Sequence, residues 1–106
     1  MQPLPYSVYV LFSLKDHLLY IGYSSNLEKR VKKHNSRGNS STSWRTPLEI
    51  IFCEFYLFKD DALRREKYLK TTMGKKALKL MLNETLRKLG YKGQKLDYYY
   101  DIQIMA

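Results

Sequence analysis

The sequence is poor in the residues that stabilise small secreted or metal-bound domains. Among its 106 residues there is a single cysteine, Cys53, which has no second cysteine for an intramolecular disulfide. One cysteine and two histidines also fall short of the four ligands of a structural zinc site. A disulfide scaffold and a zinc-stabilised fold are therefore excluded, and a reducing compartment, the cytoplasm, is the expected location.

Long apolar runs are also lacking. No stretch approaches the roughly 20 apolar residues of a membrane-spanning helix. Residues 1–5 (MQPLP) have neither the charged start nor the apolar core of a signal peptide. The length is below that of an average domain. We therefore expect no membrane partner, one domain over residues 1–90, and a tyrosine-rich tail over 91–106 that either adds a short strand or stays loose.

Acidic residues are outnumbered by basic ones. Lys and Arg total 19 against 10 Asp and Glu, which gives a formal charge of +9. Such a surplus favours polyanionic partners. The basic residues are spread over several segments instead of forming one face of an amphipathic helix, as binding to a membrane surface would require. Nucleic acid is the expected partner.

Apolar patterning predicts an α+β fold of order β-β-α-β-α-α, with a small three-stranded antiparallel sheet flanked by helices. Residues 6–13 and 18–22 form the predicted hairpin. Ser25, with Glu28 three positions later, is the predicted cap of a helix to about residue 35. Residues 48–58 (LEIIFCEFYLF) are almost continuously apolar, which is typical of a central strand covered on both faces.

Two further helices are predicted after this strand. The first begins at Asp60 or Asp61 and runs to about residue 72, Gly74 interrupts the pattern, and the last helix spans 75–89. The predicted apolar face of the last helix consists of Ala77, Leu78, Met81, Leu82, Leu86 and Leu89.

Glu66 falls in the middle of an apolar stripe, between Ala62 and Leu69 at helical spacing. A carboxylate buried there without a partner would cost several kcal/mol, so it must pair with a base, stay protonated or bind a cation. An ion pair with Arg30 or a neighbouring lysine and a metal ligand are equally favoured by the geometry.

Arg30 and His34 lie four residues apart on the first helix and therefore share a face. Lys29, Lys32 and Lys33 project mostly the other way, which is typical of a solvated surface. A guanidinium one turn from an imidazole suits an anionic phosphate, although a histidine near an apolar edge is more often structural.

The chain resembles the GIY-YIG endonuclease family. The residues that carry the resemblance are SVY at 7–9, YIG at 20–22, then Arg30, His34 and Glu66, in that order. The first motif departs from Gly-Ile-Tyr but keeps its tyrosine. The likeness is to the small, single-domain branch of the family and covers roughly residues 6–82.

The resemblance implies hydrolysis of a phosphodiester bond with one divalent cation held by Glu66, Mg²⁺ or alternatively Mn²⁺, and no small-molecule cofactor. It implies that Arg30 neutralises charge on phosphorus and that a tyrosine, Tyr9 or Tyr20, helps to deprotonate the attacking water. His34 then has a supporting role, such as accepting a proton from the tyrosine.

Contacts with nucleic acid are expected at four other positions. Gly22 would allow close approach of the strand end to a helix or substrate. Thr42, Trp44 and Arg45 lie in a Ser-rich loop that matches a region where close relatives often have Thr and several Arg, and they would contact nucleic acid by hydrogen bonding, stacking and phosphate pairing. Trp44 as a loop anchor packed into the core is the alternative. Asn83 is a weaker candidate, because it points away from the apolar face of its helix.

The sequence therefore predicts a metal-dependent DNA endonuclease that is structure-selective or weakly sequence-selective, with RNA as an alternative substrate. Repair, recombination and defence are the alternative roles. The second hypothesis is a nucleic-acid-binding module that keeps the fold and has little or no cleavage activity, and a basic structural protein ranks last.

Overall fold

The computed structural model describes residues 2–35, 47–91 and 102–104. The elements in chain order are β1 (Tyr6–Ser13), β2 (Leu19–Ser24), α1 (Leu27–Asn35), β3 (Leu48–Tyr56), α2 (Lys59–Leu69), α3 (Thr72–Met81), α4 (Asn83–Lys88) and β4 (Ile102–Ile104). The predicted α+β class is confirmed. None of the helices in these ranges is long and apolar enough to cross a membrane.

The sheet has the strand order β3-β1-β2-β4. Strand β1 is antiparallel to both β2 and β3, which confirms the predicted three-stranded antiparallel sheet. Tyr9 lies opposite Gly22 on one side and Cys53 on the other. Strand β4 pairs with β2 in parallel, so the tail contributes a short fourth strand.

The central strand of the antiparallel part is β1, and the prediction that residues 48–58 form a central strand covered on both faces is wrong. Every residue of β1 after Tyr6 is buried, whereas in β3 only Leu48 is. Ile50 and Phe55 remain 41% and 45% exposed. An apolar run shows that a strand can be covered, but its position in the sheet depends on which partner strands it finds.

Successive side chains of β1 point to opposite faces of the sheet and therefore pack in two separate apolar clusters. Val8, Val10 and Phe12 face α2, α3 and α4, where they pack with residues such as Ala62 and Leu69. On the opposite face, the buried cluster consists of Tyr9, Leu11, Tyr20 and Leu48, with Leu27 and Val31 of α1 packed against it. The two tyrosines of the sequence motifs thus lie on the α1 face of the sheet.

Helix α1 begins one residue later than predicted. Asn26 Oδ1 accepts a hydrogen bond from Lys29 N at 3.1 Å, and Ser24 Oγ accepts one from Asn26 N at 2.9 Å. Asn26 is therefore the N-cap in place of Ser25, because asparagine caps a helix as well as serine does and its side chain reaches the third amide of the helix.

The prediction that Gly74 interrupts the helical pattern is wrong. Helix α2 stops at Leu69, and Thr71 caps α3 by accepting from Gly74 N at 3.1 Å. Gly74 is buried in the first turn of α3, where an added Cβ would lie 1.9 Å from the carbonyl oxygen of Tyr68. The glycine permits two helices to approach closely.

The predicted last helix is divided into α3 and α4 at Leu82. Leu78, Leu82 and Leu86 are buried as predicted, whereas Met81 is 49% exposed and its assignment to the apolar face is wrong. Met81 ends α3 and is rotated by about 100° from its neighbour Leu82, away from the stripe that meets the sheet.

Candidate active site

Tyr9 lies in the middle of β1 with only 1% of its surface exposed. Its hydroxyl and Nε2 of His34 form a hydrogen bond of 3.2 Å, and the two rings meet edge to face with centroids 6.2 Å apart. His34 is itself 1% exposed near the end of α1. The contact ties the central strand to the first helix and brings two of the sequence-predicted residues together.

Burial sets the protonation of this pair. Desolvation raises the pKa of Tyr9 to about 12, with the positive charge of Arg30 opposing the increase and the negative charge of Glu66 adding to it. Desolvation also lowers the pKa of His34 from its usual 6.5, and the charges of Arg30 and Lys33 lower it further. At neutral pH the tyrosine is a neutral phenol beside a neutral imidazole, which can accept a proton.

The charges of Arg30 and Glu66 both act on Tyr9, although they come from different helices. Arg30 precedes His34 by one turn of α1, and Glu66 belongs to α2, which packs on the opposite face of the sheet from α1. The fold thus brings a guanidinium and a carboxylate within electrostatic reach of one buried phenol.

A bidentate ion pair connects helix α2 to the edge strand β3. Arg65 donates through Nε and Nη2 to the two carboxylate oxygens of Glu54, at 2.8 and 3.3 Å. Tyr56 donates to the same carboxylate at 3.0 Å. Because Arg65 is adjacent to Glu66 in sequence, this planar contact fixes the rotation of α2 and with it the direction of Glu66.

Glu66 forms an ion pair with a neighbouring lysine, one of the alternatives that its sequence position left open. Its Oε2 accepts a hydrogen bond from Lys70 Nζ at 3.3 Å, and both side chains are 19% exposed. The carboxylate is therefore largely sheltered and has a cationic partner one turn along α2.

No group of three or more His, Cys, Asp and Glu residues is arranged to hold a metal ion within residues 2–35, 47–91 and 102–104. A site made entirely of protein ligands is not built there. Mg²⁺, however, is commonly held by one or two carboxylates and completes its shell with water and substrate phosphate oxygens. Glu66, largely sheltered and one turn from Lys70, fits that single-carboxylate mode.

Tyr20 lies on the same face of the sheet as Tyr9 and is 2% exposed. Its hydroxyl donates a hydrogen bond to Asp16 Oδ2 at 2.7 Å. Sequence reasoning missed Asp16, which lies in the turn between β1 and β2. The available signal was an acidic residue four positions before a motif tyrosine in a short hairpin.

Comparison with known proteins identifies the family of the chain. Residues 5–79 match the GIY-YIG catalytic domain. The chain belongs to the GIY-YIG family. That family consists of nucleases that act on nucleic acids and generally depend on a divalent metal ion.

Several relatives of similar size carry the name UPF0213 protein. One from Clostridium perfringens is 36% identical over 86 residues, which cover 80% of this chain and 91% of the relative. One from Staphylococcus saprophyticus is 41% identical over 68 residues, 63% of this chain and 83% of the relative. One from Natronomonas pharaonis is 39% identical over 79 residues, 74% of this chain and 92% of the relative. No solved structure matches the chain significantly.

The first GIY-YIG motif of this chain begins with Ser7 where the family name has glycine. Ser7 is fully buried on the face that carries Tyr9, and its hydroxyl donates to the carbonyl oxygen of Ser24 at 3.0 Å. Ser24 is the residue opposite Ser7 in β2. The extra hydroxyl is thus satisfied by the neighbouring strand, and the motif tolerates serine without leaving a buried polar atom unpaired.

The remaining predicted contact residues lie in different parts of the chain. Gly22 is buried in β2 directly opposite Tyr9, next to the site. Asn83 is exposed at the start of α4, as its position off the apolar face predicted. Thr42, Trp44 and Arg45 lie outside the described residues. The lysines of α1 are exposed, as expected for a solvated surface.

Proposed function

We propose that this GIY-YIG chain is a metal-dependent endonuclease that hydrolyses phosphodiester bonds in DNA. The observation that carries the proposal is the buried hydrogen bond between Tyr9 and His34, with the charges of Arg30 and Glu66 both acting on Tyr9. A phenol, a neutral imidazole, a guanidinium and a carboxylate are the groups needed to move a proton and to stabilise a phosphoryl transition state.

Arg30 supplies fixed positive charge. A guanidinium can bind two phosphate oxygens at once and neutralise the charge that develops on phosphorus during attack. Glu66 is the residue that would hold the divalent cation. When bound, the cation supplies Lewis-acid polarisation of the scissile phosphate and stabilises the leaving oxygen.

Proton transfer is the task of the tyrosines and His34. A phenol with a pKa of about 12 is a poor base at neutral pH unless its own proton has somewhere to go. For Tyr9 that acceptor is His34, whose lowered pKa keeps it neutral near pH 7. Tyr20 has the alternative acceptor Asp16.

The substrate we propose is DNA, cut with structural or weak sequence selectivity. The net charge of +9 supports binding to a polyanion. Gly22, Thr42, Trp44 and Arg45 remain the proposed contact residues for the nucleic acid, and the pathway that we propose as a setting is DNA repair in the cytoplasm.

A second function, a nucleic-acid-binding module with little or no cleavage activity, is favoured by the ion pair between Glu66 and Lys70. A lysine already bound to the proposed metal ligand competes with the cation for the same carboxylate. If that competition prevails, the chain binds nucleic acid through its basic surface without cutting it.

Cleavage of a labelled panel separates these functions. The panel contains single-stranded, duplex, flap and branched DNA and RNA, each with Mg²⁺, Mn²⁺ or a chelator. Wild type is compared with Glu66→Gln and with the matched control Glu84→Gln, which removes an exposed carboxylate far from Tyr9 in sequence. We expect metal-dependent cleavage of a DNA substrate by wild type and by Glu84→Gln, and none by Glu66→Gln.

Other outcomes are equally informative. Cleavage that survives in folded Glu66→Gln contradicts the proposed metal ligand. An absence of cleavage on every substrate, together with DNA binding that weakens steeply with salt, establishes the binding module in place of the nuclease.

A further inference from the structure

A cleft opens beside helix α2, on a different face of the helix from Glu66. Its volume is about 320 Å³, at the lower end of the range for small-molecule sites. At 3.6 residues per turn, Tyr68 is rotated by about 200° from Glu66 around the helix axis. The residues that line the cleft are Tyr56 of β3 and, along one stripe of α2, Asp61, Arg64, Arg65 and Tyr68.

The arginine charges at this cleft are already balanced. Arg64 Nη1 donates to Asp61 Oδ1 at 2.9 Å. Arg65 donates to both carboxylate oxygens of Glu54, at 2.8 and 3.3 Å. A free phosphate in the cleft would meet a carboxylate beside each guanidinium, and the repulsion would offset most of the attraction. The charges therefore favour an uncharged ligand over an anion.

Tyr68 gives the cleft an exposed aromatic surface, because 39% of the residue is accessible to solvent. The guanidinium carbon of Arg65 lies 5.4 Å from the centroid of its ring, which is a cation–π contact. Since Glu54 holds Arg65 in place, the ring is supported before any ligand binds, and less order has to be created on binding. An aromatic ring beside an arginine is the arrangement on which the bases of single-stranded nucleic acids stack.

We propose that this cleft binds the base of an unpaired nucleotide, which stacks on Tyr68. A base is planar and uncharged, as the exposed ring and the balanced charges require. Arg64 and Asp61 are both exposed and offer N–H donors and a carboxylate acceptor to the edge of the base. A base within a duplex cannot enter the cleft, because neighbouring pairs cover its two faces.

The position of the cleft connects it to the proposed nuclease. Tyr68 follows Glu66 by two residues, on the other side of a helix that is about 10 Å across. Stacked nucleotides advance by about 3.4 Å each, so a base at Tyr68 belongs to a nucleotide about three or four positions from a phosphate at Glu66. This inference rests on the proposed DNA substrate and deepens it: the preferred substrate has unpaired nucleotides close to the scissile bond.

Binding without cleavage provides the first test. Fluorescein-labelled single-stranded DNA, a duplex of the same sequence and an oligonucleotide made only of abasic sites are titrated in chelator and followed by fluorescence anisotropy. We expect Tyr68→Leu to weaken binding to single-stranded DNA by about 5- to 100-fold, the range of one lost base–aromatic stack. Binding to the duplex and to the abasic strand, which has phosphates but no bases, should change by less than about twofold.

Two control variants separate stacking from general effects. Tyr68→Phe keeps the ring and should bind single-stranded DNA within about twofold of wild type. Lys67→Gln removes an exposed charge of α2 outside the cleft and should weaken binding to all three nucleic acids alike. The deficit of Tyr68→Leu should stay constant as the salt concentration rises, because stacking releases no counterions. Circular dichroism checks that each variant is folded.

A second readout locates the base at the ring. In protein labelled with ¹³C in the tyrosine rings, the Tyr68 signals, assigned through Tyr68→Phe, should shift on titration with single-stranded DNA and stay in place with the abasic strand. Deoxyadenosine monophosphate tests a free nucleotide as the source of the base. It should bind at least about tenfold more weakly than the strand, because it lacks the neighbouring phosphates that contact a basic surface.

The outcomes separate this inference from the proposed function. Equal weakening of single-stranded DNA and the abasic strand in Tyr68→Leu would show that the cleft contacts phosphate, and the base site is then wrong. Deoxyadenosine monophosphate that binds as tightly as the strand would assign the cleft to a free nucleotide instead. If wild type cuts DNA while Tyr68→Leu keeps its affinity for single strands, the nuclease stands and the base site fails. If wild type cuts nothing while Tyr68→Leu loses single-strand binding as expected, the nuclease fails and the base site stands.

Discussion

The hydroxyl of Tyr9 and Nε2 of His34 are joined by a hydrogen bond of 3.2 Å between two side chains that are each 1% exposed. The contact spans 25 residues of sequence and links the central strand to the first helix. Because neither group can exchange its partner for water without local opening, the bond supports the packing of α1 as well as any proton transfer. Its strength depends on a neutral imidazole.

The first prediction concerns the effect of pH on stability through His34. Its pKa in the folded chain is lowered from 6.5, so the unfolded chain binds a proton at this residue more readily than the folded chain does. The stability that the neutral ring contributes is present above pH 6.5 and is lost as the pH falls through the folded-state pKa. Urea unfolding between about pH 7.5 and 5.5 should show this loss in wild type and a flatter profile in His34→Gln.

Lys33→Gln serves as the second arm of this experiment. The charge of Lys33 contributes to the lowered pKa of His34, so its removal should bring the pKa closer to 6.5 and make the pH-dependent loss smaller. A His34→Gln profile parallel to that of wild type would contradict a neutral, buried imidazole.

The local parts of the fold and the three-stranded antiparallel sheet could be predicted from the sequence, whereas the identity of the central strand could not. The hairpin follows from two β-branched and aromatic runs separated by a polar turn. The cap of the first helix lies one residue later than predicted, at Asn26 instead of Ser25. The position of β3 at one side of β1 depends on long-range pairing. Nothing in the run at 48–58 distinguishes a strand covered on both faces from one with Ile50 and Phe55 exposed.

The candidate site shows the same division. The contact of Tyr9 with His34 is consistent with strand and helix periodicity, and the ion pair of Glu66 with a lysine was one of the alternatives that the sequence left open. Which lysine pairs with Glu66 depends on rotamers that periodicity does not encode. Asp16 was missed because a turn carboxylate is ordinarily explained by its local hydrogen bond to the backbone.

A second prediction concerns the contact of α2 with α3 at Gly74. A Cβ at this position would lie 1.9 Å from Tyr68 O and 2.7 Å from Leu69 Cα, both backbone atoms that cannot rotate away. Gly74→Ala should therefore destabilise the chain by about 3 kcal/mol or prevent folding, as overpacking against a backbone does. Thermal unfolding followed by circular dichroism measures the effect.

Gly90→Ala is the control for Gly74→Ala. Gly90 has a φ of +74°, but a Cβ there would meet nothing within 4 Å. Its cost should be limited to backbone strain of about 1 kcal/mol. Equal destabilisation by the two substitutions would show that close approach is not what Gly74 provides.

A third prediction concerns the serine at the start of the first GIY-YIG motif. Ser7→Ala removes the buried hydrogen bond to Ser24 O and should lower the free energy of unfolding by about 1 kcal/mol. Ser7→Gly should cost somewhat more, because glycine also loses more backbone entropy when it is fixed in a strand. Denaturant titration of both variants gives the order. A more stable Ser7→Gly would show that the serine strains the strand.

The last prediction concerns competition between Lys70 and a divalent cation at Glu66. The lysine ammonium lies 3.3 Å from Oε2 in a setting where both side chains are 19% exposed, so a cation that binds this carboxylate must displace or share it. Lys70→Met should tighten Mn²⁺ binding by about three- to tenfold, which is the effect of one partly screened charge. Lys67→Met removes an exposed charge from the same helix and should change the affinity much less.

Titration of Mn²⁺ monitored by its electron paramagnetic resonance signal measures this affinity without requiring cleavage. Glu66→Gln should abolish the carboxylate for which Lys70 and Mn²⁺ compete. Lys70→Met should then have no further effect on Mn²⁺ affinity when it is combined with Glu66→Gln. If Lys70→Met and Lys67→Met tighten Mn²⁺ binding equally, the lysines act only through net charge, and the ion pair of Lys70 does not compete with the metal ion for the Glu66 carboxylate. If Lys70→Met instead weakens Mn²⁺ binding, Lys70 holds Glu66 in the orientation that the metal needs, and the competition is wrong.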